Sequence, residues 1–322
     1  MKKMVIKRCF EAVLVLFLVS ILTYSIAYFA PGDAADMYIR PGMSEEQQER
    51  IREYLGVNGS LGEQYLGWMK QIVKGDFGIS SFDQKEILPQ IQERLPATIL
   101  LMGISMLLAI IISIFLGLIA GYKKDTWVDK LICGITYIGM SIPTFWFGII
   151  MILVFSLKLN LFPTNGMHTT GVNAIADTLH HLVLPVLTLC FANIASYTQY
   201  IRSSTISELE EEYVLTAMAK GSGQWKVLFR HVLKNSLLPI ITLTGMSLTS
   251  LVSGSFVIES VFGWPGLGTL AMTAINRRDY TMIMAFTMIA CVTLVIGNFL
   301  ADVLYIVVDP RIRQGMNKAN EK

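Results

Sequence analysis

Residue patterns that support catalysis or hold a cofactor are scarce in this sequence. The phosphate-binding pattern G-x-x-x-x-G-K-[ST] is absent, because the dipeptide Gly-Lys does not occur. The H-E-x-x-H pattern of zinc enzymes and the G-x-S-x-G pattern of hydrolases are absent as well. His180 and His181 are adjacent, so on a helix their side chains point apart, which disfavours a shared metal ion. We therefore assign no catalytic, cofactor-binding or metal-binding residue to this chain.

The four cysteines indicate neither a disulfide nor a metal site. Each lies inside an apolar run or at its edge, without a Cys or His partner at metal-ligand spacing: Cys9, Cys133, Cys190 and Cys291. Cysteine behaves as a small apolar side chain when it is buried, and we expect that role here.

Charged residues within apolar runs would indicate an ion-coupled carrier, which places them near the middle of the membrane. Glu11 lies near the start of the first apolar run, Asp302 in the inner half of the last, and Glu259 just past the fifth. None of the three is clearly central. Asp302 could bond a neighbouring helix or relay protons, and we favour the structural role. A secondary carrier is therefore the weaker hypothesis, and a membrane enzyme would need a clustered acid, base or metal.

The composition indicates a chain that meets lipid. Only 16% of the residues are charged, against about a quarter in a typical soluble domain, and the mean hydropathy is +0.54. A formal net charge of +2 gives no sign of a nucleic-acid partner. Six apolar stretches reach the length of about 20 residues that a helix needs to cross a bilayer. They cover residues 9–30, 97–120, 131–157, 182–201, 237–257 and 282–308.

The first two stretches are separated by a polar segment, residues 31–94. Ser44 followed by Glu45 and Glu46 opens one amphipathic helical pattern, and apolar residues at helical spacing form another from Leu61 to Val73. The segment is short for an independent domain, so we expect a small cap on the outer surface. The first apolar stretch exceeds the roughly 7–15 residues of a signal-peptide core, and we expect a retained anchor.

The distribution of Lys and Arg predicts the orientation. Sixteen of the 26 basic residues fall in the N-terminal segment, the second and fourth loops and the tail, which lie on one side of a six-span chain. The other side holds ten, mostly in one long loop, where the positive-inside rule counts weakly. Both termini are therefore predicted to be cytoplasmic, and residues 31–94 to lie outside.

The fourth loop, residues 202–236, carries the most specific pattern. Tyr213, Ala217 and Gly221 follow at intervals of four, so a helix would align them in one stripe. Two of the three are small, which lets another surface approach the backbone. Gly221 and Gly223 then break the helix. The loop could be a hairpin on lipid headgroups, or a helix that docks into a groove of a cytoplasmic partner.

This loop resembles the "EAA" loop of ABC importer permeases, through its segments YVLTAMAKG and HVLKNSLLP. Leu215, Thr216 and Ala217 stand where the family has Glu-Ala-Ala, so only one alanine matches, and the stretch from Gly221 to Pro239 is longer than in the general pattern. Both departures are usual in the branch that transports peptides and nickel. Further segments similar to that branch are APGD (30–33), GDFGIS (75–80), ERLPATILL (93–101), SIPTFW (141–146), LFPTNG (161–166), FGWPGLG (262–268), NRRDY (276–280) and DPRIR (309–313).

The resemblance implies an all-α, type I importer permease of the cell membrane with six transmembrane helices. It implies a B-type subunit that pairs with a related permease chain, two cytoplasmic ATPases that bind ATP-Mg, and an external substrate-binding protein. No cofactor is then expected in this chain. Di- or oligopeptides are the implied cargo, with nickel or a metal chelate as the alternative. The implied organisation is residues 1–30 as start and first helix, 31–94 as cap, 95–308 as five-helix core with coupling loop 202–236, and 309–322 as cytoplasmic tail.

Two sets of residues follow from the resemblance. The coupling helix, at about residues 211–221, and the segment after it would contact an ATPase through Glu212, Tyr213, Thr216, Ala217, Ala219, Lys220, Gly221, His231 and Asn235. The second set forms an extracytoplasmic loop after the fifth span: Trp264, Pro265, Gly266, Leu267 and Gly268. We expect Trp264 and Leu267 to be exposed, where they could touch the binding protein or close the pore mouth. Simple packing between helix and loop is the alternative.

Overall fold

A computed structural model describes residues 2–30, 43–54, 59–172, 174–236 and 255–308. Within these ranges the regular structure is helical, apart from one isolated antiparallel bridge between Ile79 and Glu86. The chain forms two compact units. The first contains residues up to 96 together with 270–295, and the second contains residues 97–269 together with those from 296 onward.

The helices of the first half of the chain include two that exceed the bilayer in length. They are α1 (Lys2–Phe29), α2 (Glu45–Tyr54), α3 (Leu61–Val73), α4 (Ile87–Tyr122), α5 (Trp127–Ser141), α6 (Thr144–Met151) and the π-helical continuation π1 (Ile152–Lys158). With 36 residues, α4 is about 54 Å long, so it extends well beyond the predicted span of residues 97–120.

The second half begins with a helix of similar length and continues with short segments. The elements are α7 (Ile175–Leu209), α8 (Glu212–Ala219), α9 (Gln224–Val227), π2 (Leu228–Val232), α10 (Leu233–Ser236), α11 (Phe256–Val261), α12 (Leu267–Arg277) and α13 (Tyr280–Val308). The predicted fifth span, residues 237–257, lies mostly outside the described residues, and so does the tail from residue 309.

Four of the described helices are long and apolar enough to cross a membrane: α1, α4, α7 and α13. They correspond to the predicted spans one, two, four and six. The predicted single span 131–157 is instead two helical segments bent by 100°, and counting that pair as one span gives five. The break falls before Pro143, because proline disfavours the helical conformation in the residue that precedes it. Ile142 accordingly has extended backbone angles, φ −86° and ψ 126°.

Helix α3 packs on α1 within the first unit. It begins with a capping box, in which Ser60 and Glu63 satisfy each other's backbone amides, and these hydrogen bonds lower the pKa of Glu63. The hydroxyls of Ser20 and Tyr65 lie 2.8 Å apart. The ring of Trp68 lies 5.3 Å from that of Tyr24. The amphipathic pattern from Leu61 to Val73 is thus confirmed as a helix, and its aromatic side faces α1.

In the second unit α4 and α7 approach closely at two glycines. A Cβ atom on Gly117 would lie 2.5 Å from the Cβ of Ile201, and one on Gly121 would lie 2.6 Å from the Cβ of Thr205. Small residues four apart let two membrane helices bring their backbones together. The spacing Gly117–Gly121 therefore sets the contact between these helices.

Candidate functional site

Helix α8 follows α7 with only two residues between them. Glu211 occupies its N-cap position with extended backbone angles, φ −72° and ψ 142°. The helix ends at Ala219, and Gly221 has a φ of +78°, which glycine adopts without strain. Gly221 therefore stands at the break that the sequence predicts.

The predicted stripe of Tyr213, Ala217 and Gly221 is wrong as a single exposed surface. Ala217 is 9% exposed and Val214 is fully buried, so these two, three positions apart, form the inner side of α8. Both are apolar, and burying them removes apolar area from water. Tyr213 and Gly221 are exposed. Ala217 consequently faces the chain's own core rather than a partner.

The outer side of α8 contains two large apolar side chains that the sequence argument missed. Leu215 is 52% exposed and Met218 is 38% exposed. Other side chains exposed on or next to this helix are those of Glu212, Tyr213, Thr216, Ala219 and Lys220. Two large apolar residues exposed on one eight-residue helix indicate a contact surface. The spacing of Leu215 and Met218, three positions apart, was visible in the sequence, but spacing alone does not show which face of a helix is exposed.

A hydrogen bond joins α8 to the end of α7, and others lie within α8 and between α7 and α10. The Tyr213 hydroxyl donates to the Glu208 carboxylate, and the Thr216 hydroxyl donates to the Glu212 carbonyl at 2.8 Å. Thr205 on α7 donates to Ser236 on α10 at 3.4 Å. His231 and Asn235 belong to π2 and α10, but their side chains lie outside the described part of the structure.

An ion pair between a buried carboxylate and a partly buried guanidinium joins α5 to α7. Arg202 donates from Nε to Oδ1 of Asp129 at 2.5 Å and from Nη2 to Oδ2 at 2.7 Å. The Asp129 side chain is 3% exposed, and it also accepts from the Asp125 amide at 2.9 Å. Gln199, one turn from Arg202 on α7, donates to Thr136, two turns from Asp129 on α5, at 2.5 Å. Sequence reasoning counted Arg202 only as a loop charge, and it did not consider Asp129.

A second buried carboxylate organises the loop between α11 and α12. Glu259 is fully buried and accepts from the Thr98 hydroxyl at 3.0 Å and from the Gly268 amide at 2.6 Å. Burial raises the pKa of Glu259, while these hydrogen bonds oppose the rise. Because Gly268 lies in the first turn of α12, the carboxylate also meets the positive end of that helix. It therefore fixes where α12 begins.

The expectation that Trp264 and Leu267 are exposed is wrong. Trp264 is fully buried and donates from Nε1 to the Ala97 carbonyl at 2.8 Å, and Leu267 is 1% exposed. Pro265 is half-buried, and a Cβ on Gly266 or Gly268 would lie 2.4 or 2.8 Å from Glu259 Oε2. Because the two glycines have no side chain, the Glu259 carboxylate fits against their backbone. Within this unit, the segment FGWPGLG is therefore a loop packed against a helix, which is the alternative that the sequence left open.

In the first unit, a third carboxylate joins two of the segments noted in the sequence. Ser80 of GDFGIS donates to Asp279 of NRRDY at 2.5 Å, and the Ser81 amide donates to the same carboxylate at 3.1 Å. The Arg277 guanidinium lies 4.8 Å from the centre of the Phe82 ring. The loop that precedes α4 is thereby fastened to the start of α13.

The described residues contain no cluster of three His, Cys, Asp or Glu side chains arranged to hold a metal ion. His180 bonds the Leu161 carbonyl, whereas His181 bonds the Asp177 carbonyl, so the two adjacent rings diverge. Of the cysteines, Cys190 and Cys291 are buried as expected, whereas Cys9 is exposed on α1.

Comparison with known proteins decides the family. Residues 113–314 match the model of the inner-membrane component of binding-protein-dependent transport systems, and residues 1–102 match the model of its N-terminal part. The chain belongs to this family. The permease is therefore a multi-pass protein of the cell membrane and a transport subunit rather than an enzyme. Its family implies an ATPase and a substrate-binding protein as partners.

Curated relatives match the permease over almost its whole length. It is 41% identical to the oligopeptide transport system permease protein AppB of Bacillus subtilis (strain 168), over 96% of this chain and 98% of that protein. It is 35% identical to the glutathione transport system permease protein GsiC of Escherichia coli (strain K12), over the same shares. A crystal structure of an amino acid ABC transporter with histidines matches 68% of the permease and 94% of that chain, with a TM-score of 0.51 and 13% identity. This last likeness concerns the fold alone.

Proposed function

We propose that this chain is a permease subunit of an ATP-driven importer of di- or oligopeptides. The observation that carries the proposal is the 41% identity to an oligopeptide permease along 96% of the chain. The second named relative transports glutathione, itself a small peptide, so the names favour peptide cargo over nickel or a metal chelate. Family membership also weighs against an ion-coupled carrier.

Within that importer, we propose that the chain forms half of the pore beside a second, distinct permease chain. Two ATPase subunits would bind ATP-Mg in the cytoplasm, and a binding protein would deliver the peptide outside. The chain would contribute six spans, with residues 31–94 outside, a core of residues 95–308 and the tail 309–322 inside. The support is the charge distribution of the loops and the apolar lengths of the helices.

Transport of peptides by the reconstituted complex tests the cargo. Proteoliposomes that contain the complex, with its binding protein added outside, should accumulate a labelled tri- or tetrapeptide only when ATP is enclosed in their lumen. Uptake of nickel without peptide uptake would contradict the peptide assignment. Uptake by the permease alone, driven by a proton gradient, would contradict the importer as a whole.

The orientation has its own test. A cysteine introduced at Val73, which is exposed at the end of α3, should react in intact cells with a membrane-impermeant maleimide. A cysteine at exposed Lys220 should react only after the membrane is opened. The exposed native Cys9 is replaced by serine in both variants. The reverse labelling pattern would show that the termini lie outside.

We propose that α8 is the helix that docks on the ATPase. Its exposed residues Leu215 and Met218 supply apolar contact area, and a few apolar side chains at the centre of an interface carry most of its energy. Replacing Leu215 by glutamate should reduce co-purification of the ATPase by about tenfold or more, because a charge would be buried at the contact. Pull-down on a tagged permease measures this.

The matched control is Leu66→Glu, since Leu66 is 67% exposed on α3 in the other unit. That variant should retain the ATPase. Equal retention by Leu215→Glu and by the double variant Leu215→Glu/Met218→Glu would show that α8 is not the docking surface.

A further inference from the structure

The cytoplasmic end of α7 is the place where a displacement of α8 would enter the rest of the fold. Only Glu210 and Glu211 separate the two helices, and Tyr213 bonds back to Glu208. A displacement of α8 would therefore move the end of α7 directly. Arg202 lies two turns before that end.

At that level, α7 is tied to α5 by polar contacts with fixed geometry. Arg202 and Asp129 form the two parallel hydrogen bonds described above, a pairing that specifies orientation as well as distance. Gln199 and Thr136 add a second tie, one turn from Arg202 on α7 and two turns from Asp129 on α5. Cys133 Sγ also donates to Oδ1 of Asp129 at 3.3 Å. Two ties at separate levels of α5 oppose rotation of that helix about its own axis as well as its separation from α7.

On another side of α7, at the same level, α4 is in backbone contact. Gly117 and Gly121 face Ile201 and Thr205, and added Cβ atoms would also lie 3.0 Å from the carbonyls of Thr198 and Arg202. These contacts are apolar, and the side chains of Ile201 and Thr205 fit the gaps at the two glycines, so α4 and α7 pack tightly at this level. The ion pair adds a directional polar contact between α7 and α5.

We propose that the Asp129–Arg202 pair transmits the movement of α8 to α5, so that α5 and α7 move as one body during the transport cycle. This inference rests on the proposed function, because it takes α8 as the element that the ATPase displaces. Asp129 and Arg202 are positioning residues and need not touch the peptide. The far end of α5 is the break before Pro143, about 20 Å along the helix from Asp129. A shift at the cytoplasmic end would thereby reach the bend.

The test compares ATP use with peptide transport in the reconstituted complex. Asp129→Asn keeps the size of the side chain and one acceptor oxygen but removes the charge. The complex should still assemble and hydrolyse ATP, yet the number of ATP molecules hydrolysed per peptide should rise by about tenfold. A pair that only stabilises the fold would lower hydrolysis and transport together and leave that ratio unchanged.

The control is Asp125→Asn, in the loop just before α5. The Asp125 side chain is exposed, and asparagine tolerates its φ of +64° while keeping the amide that donates to Asp129. Its ratio of ATP to peptide should stay within twofold of the wild type. The exchanged pair Asp129→Arg/Arg202→Asp should recover part of the coupling that either single change loses.

A crosslink decides the question if Asp129→Asn fails to assemble. In a permease whose native cysteines are replaced, cysteines at Thr136 and Gln199 would be joined by a short bifunctional thiol reagent. Transport should persist within about twofold, since the proposal has these helices move together. Loss of transport on crosslinking, or an unchanged ratio in Asp129→Asn, would overturn it. Failure of the proposed function itself would appear separately, as a wild-type complex that neither binds an ATPase nor imports peptide.

Discussion

Replacing Trp264 by alanine should destabilise the second unit by about 3–5 kcal/mol, the usual cost of deleting a buried aromatic side chain. Trp264 is the largest fully buried side chain of the described residues, and its indole N–H donates to the Ala97 carbonyl. The alanine variant leaves a cavity and loses this hydrogen bond next to Pro96 in α4. We expect little purified complex and a thermal transition well below that of the wild type.

Trp264→Phe separates the two contributions. It keeps most of the ring volume and loses the hydrogen bond, so it should cost about 1–2 kcal/mol. Thermal unfolding in detergent, followed by size-exclusion fluorescence, ranks the three proteins. If Trp264→Ala were as stable as the wild type, the side chain would have to lie outside this core, at the surface where the sequence argument had placed it.

Adding a methyl group at Gly117 should destabilise the permease, whereas adding one at Gly103 should stabilise it. Both glycines lie within α4, where alanine is normally the better helix residue by about 0.5–1 kcal/mol. At Gly117 the new Cβ would lie 2.5 Å from Ile201, so α4 and α7 must separate, and overpacking of this kind costs about 1–3 kcal/mol. At Gly103 nothing lies within 4 Å.

The two variants are expected to change the thermal stability in opposite directions. A general effect of alanine on the helix or the bilayer would instead change the stability of both in the same direction. Thermal transitions of the two variants and the wild type suffice. Similar transitions for Gly117→Ala and Gly103→Ala would show that the backbones of α4 and α7 do not meet at Gly117.

The long helices could be predicted because apolar length alone requires them. A run such as 97–120 has few alternatives in a bilayer, and the pattern Leu61–Val73 specifies an amphipathic helix by its period. The break at Pro143 was missed, although the proline was visible, because average hydropathy takes no account of the backbone. The break of α8 at Gly221 was predicted because a glycine punctuates a helix locally.

Contacts between residues far apart in the sequence could not be predicted from the sequence. Asp129 and Arg202 are 73 positions apart, and nothing in either local segment indicates the other. Trp264 was expected at the surface because it lies in a Gly-Pro turn, yet the turn folds against α4 and buries it. Ala217 was assigned to the docking face because spacing identifies a face of a helix but not which way that face points.

The bend between α5 and α6 has a consequence for solvation. Backbone that leaves the helical conformation at membrane depth is tolerated only where protein covers it or water reaches it, because lipid chains offer no hydrogen bonds. Yet Ser141, Pro143 and Trp146 around the bend are exposed in the single chain. As the proposed third span, this segment would be poorly solvated by lipid in an isolated subunit. In the proposed assembly, we expect the bend to be hydrated from the translocation pathway or covered by the second permease chain. A bilayer should then solvate the lone chain less well than the assembled pair.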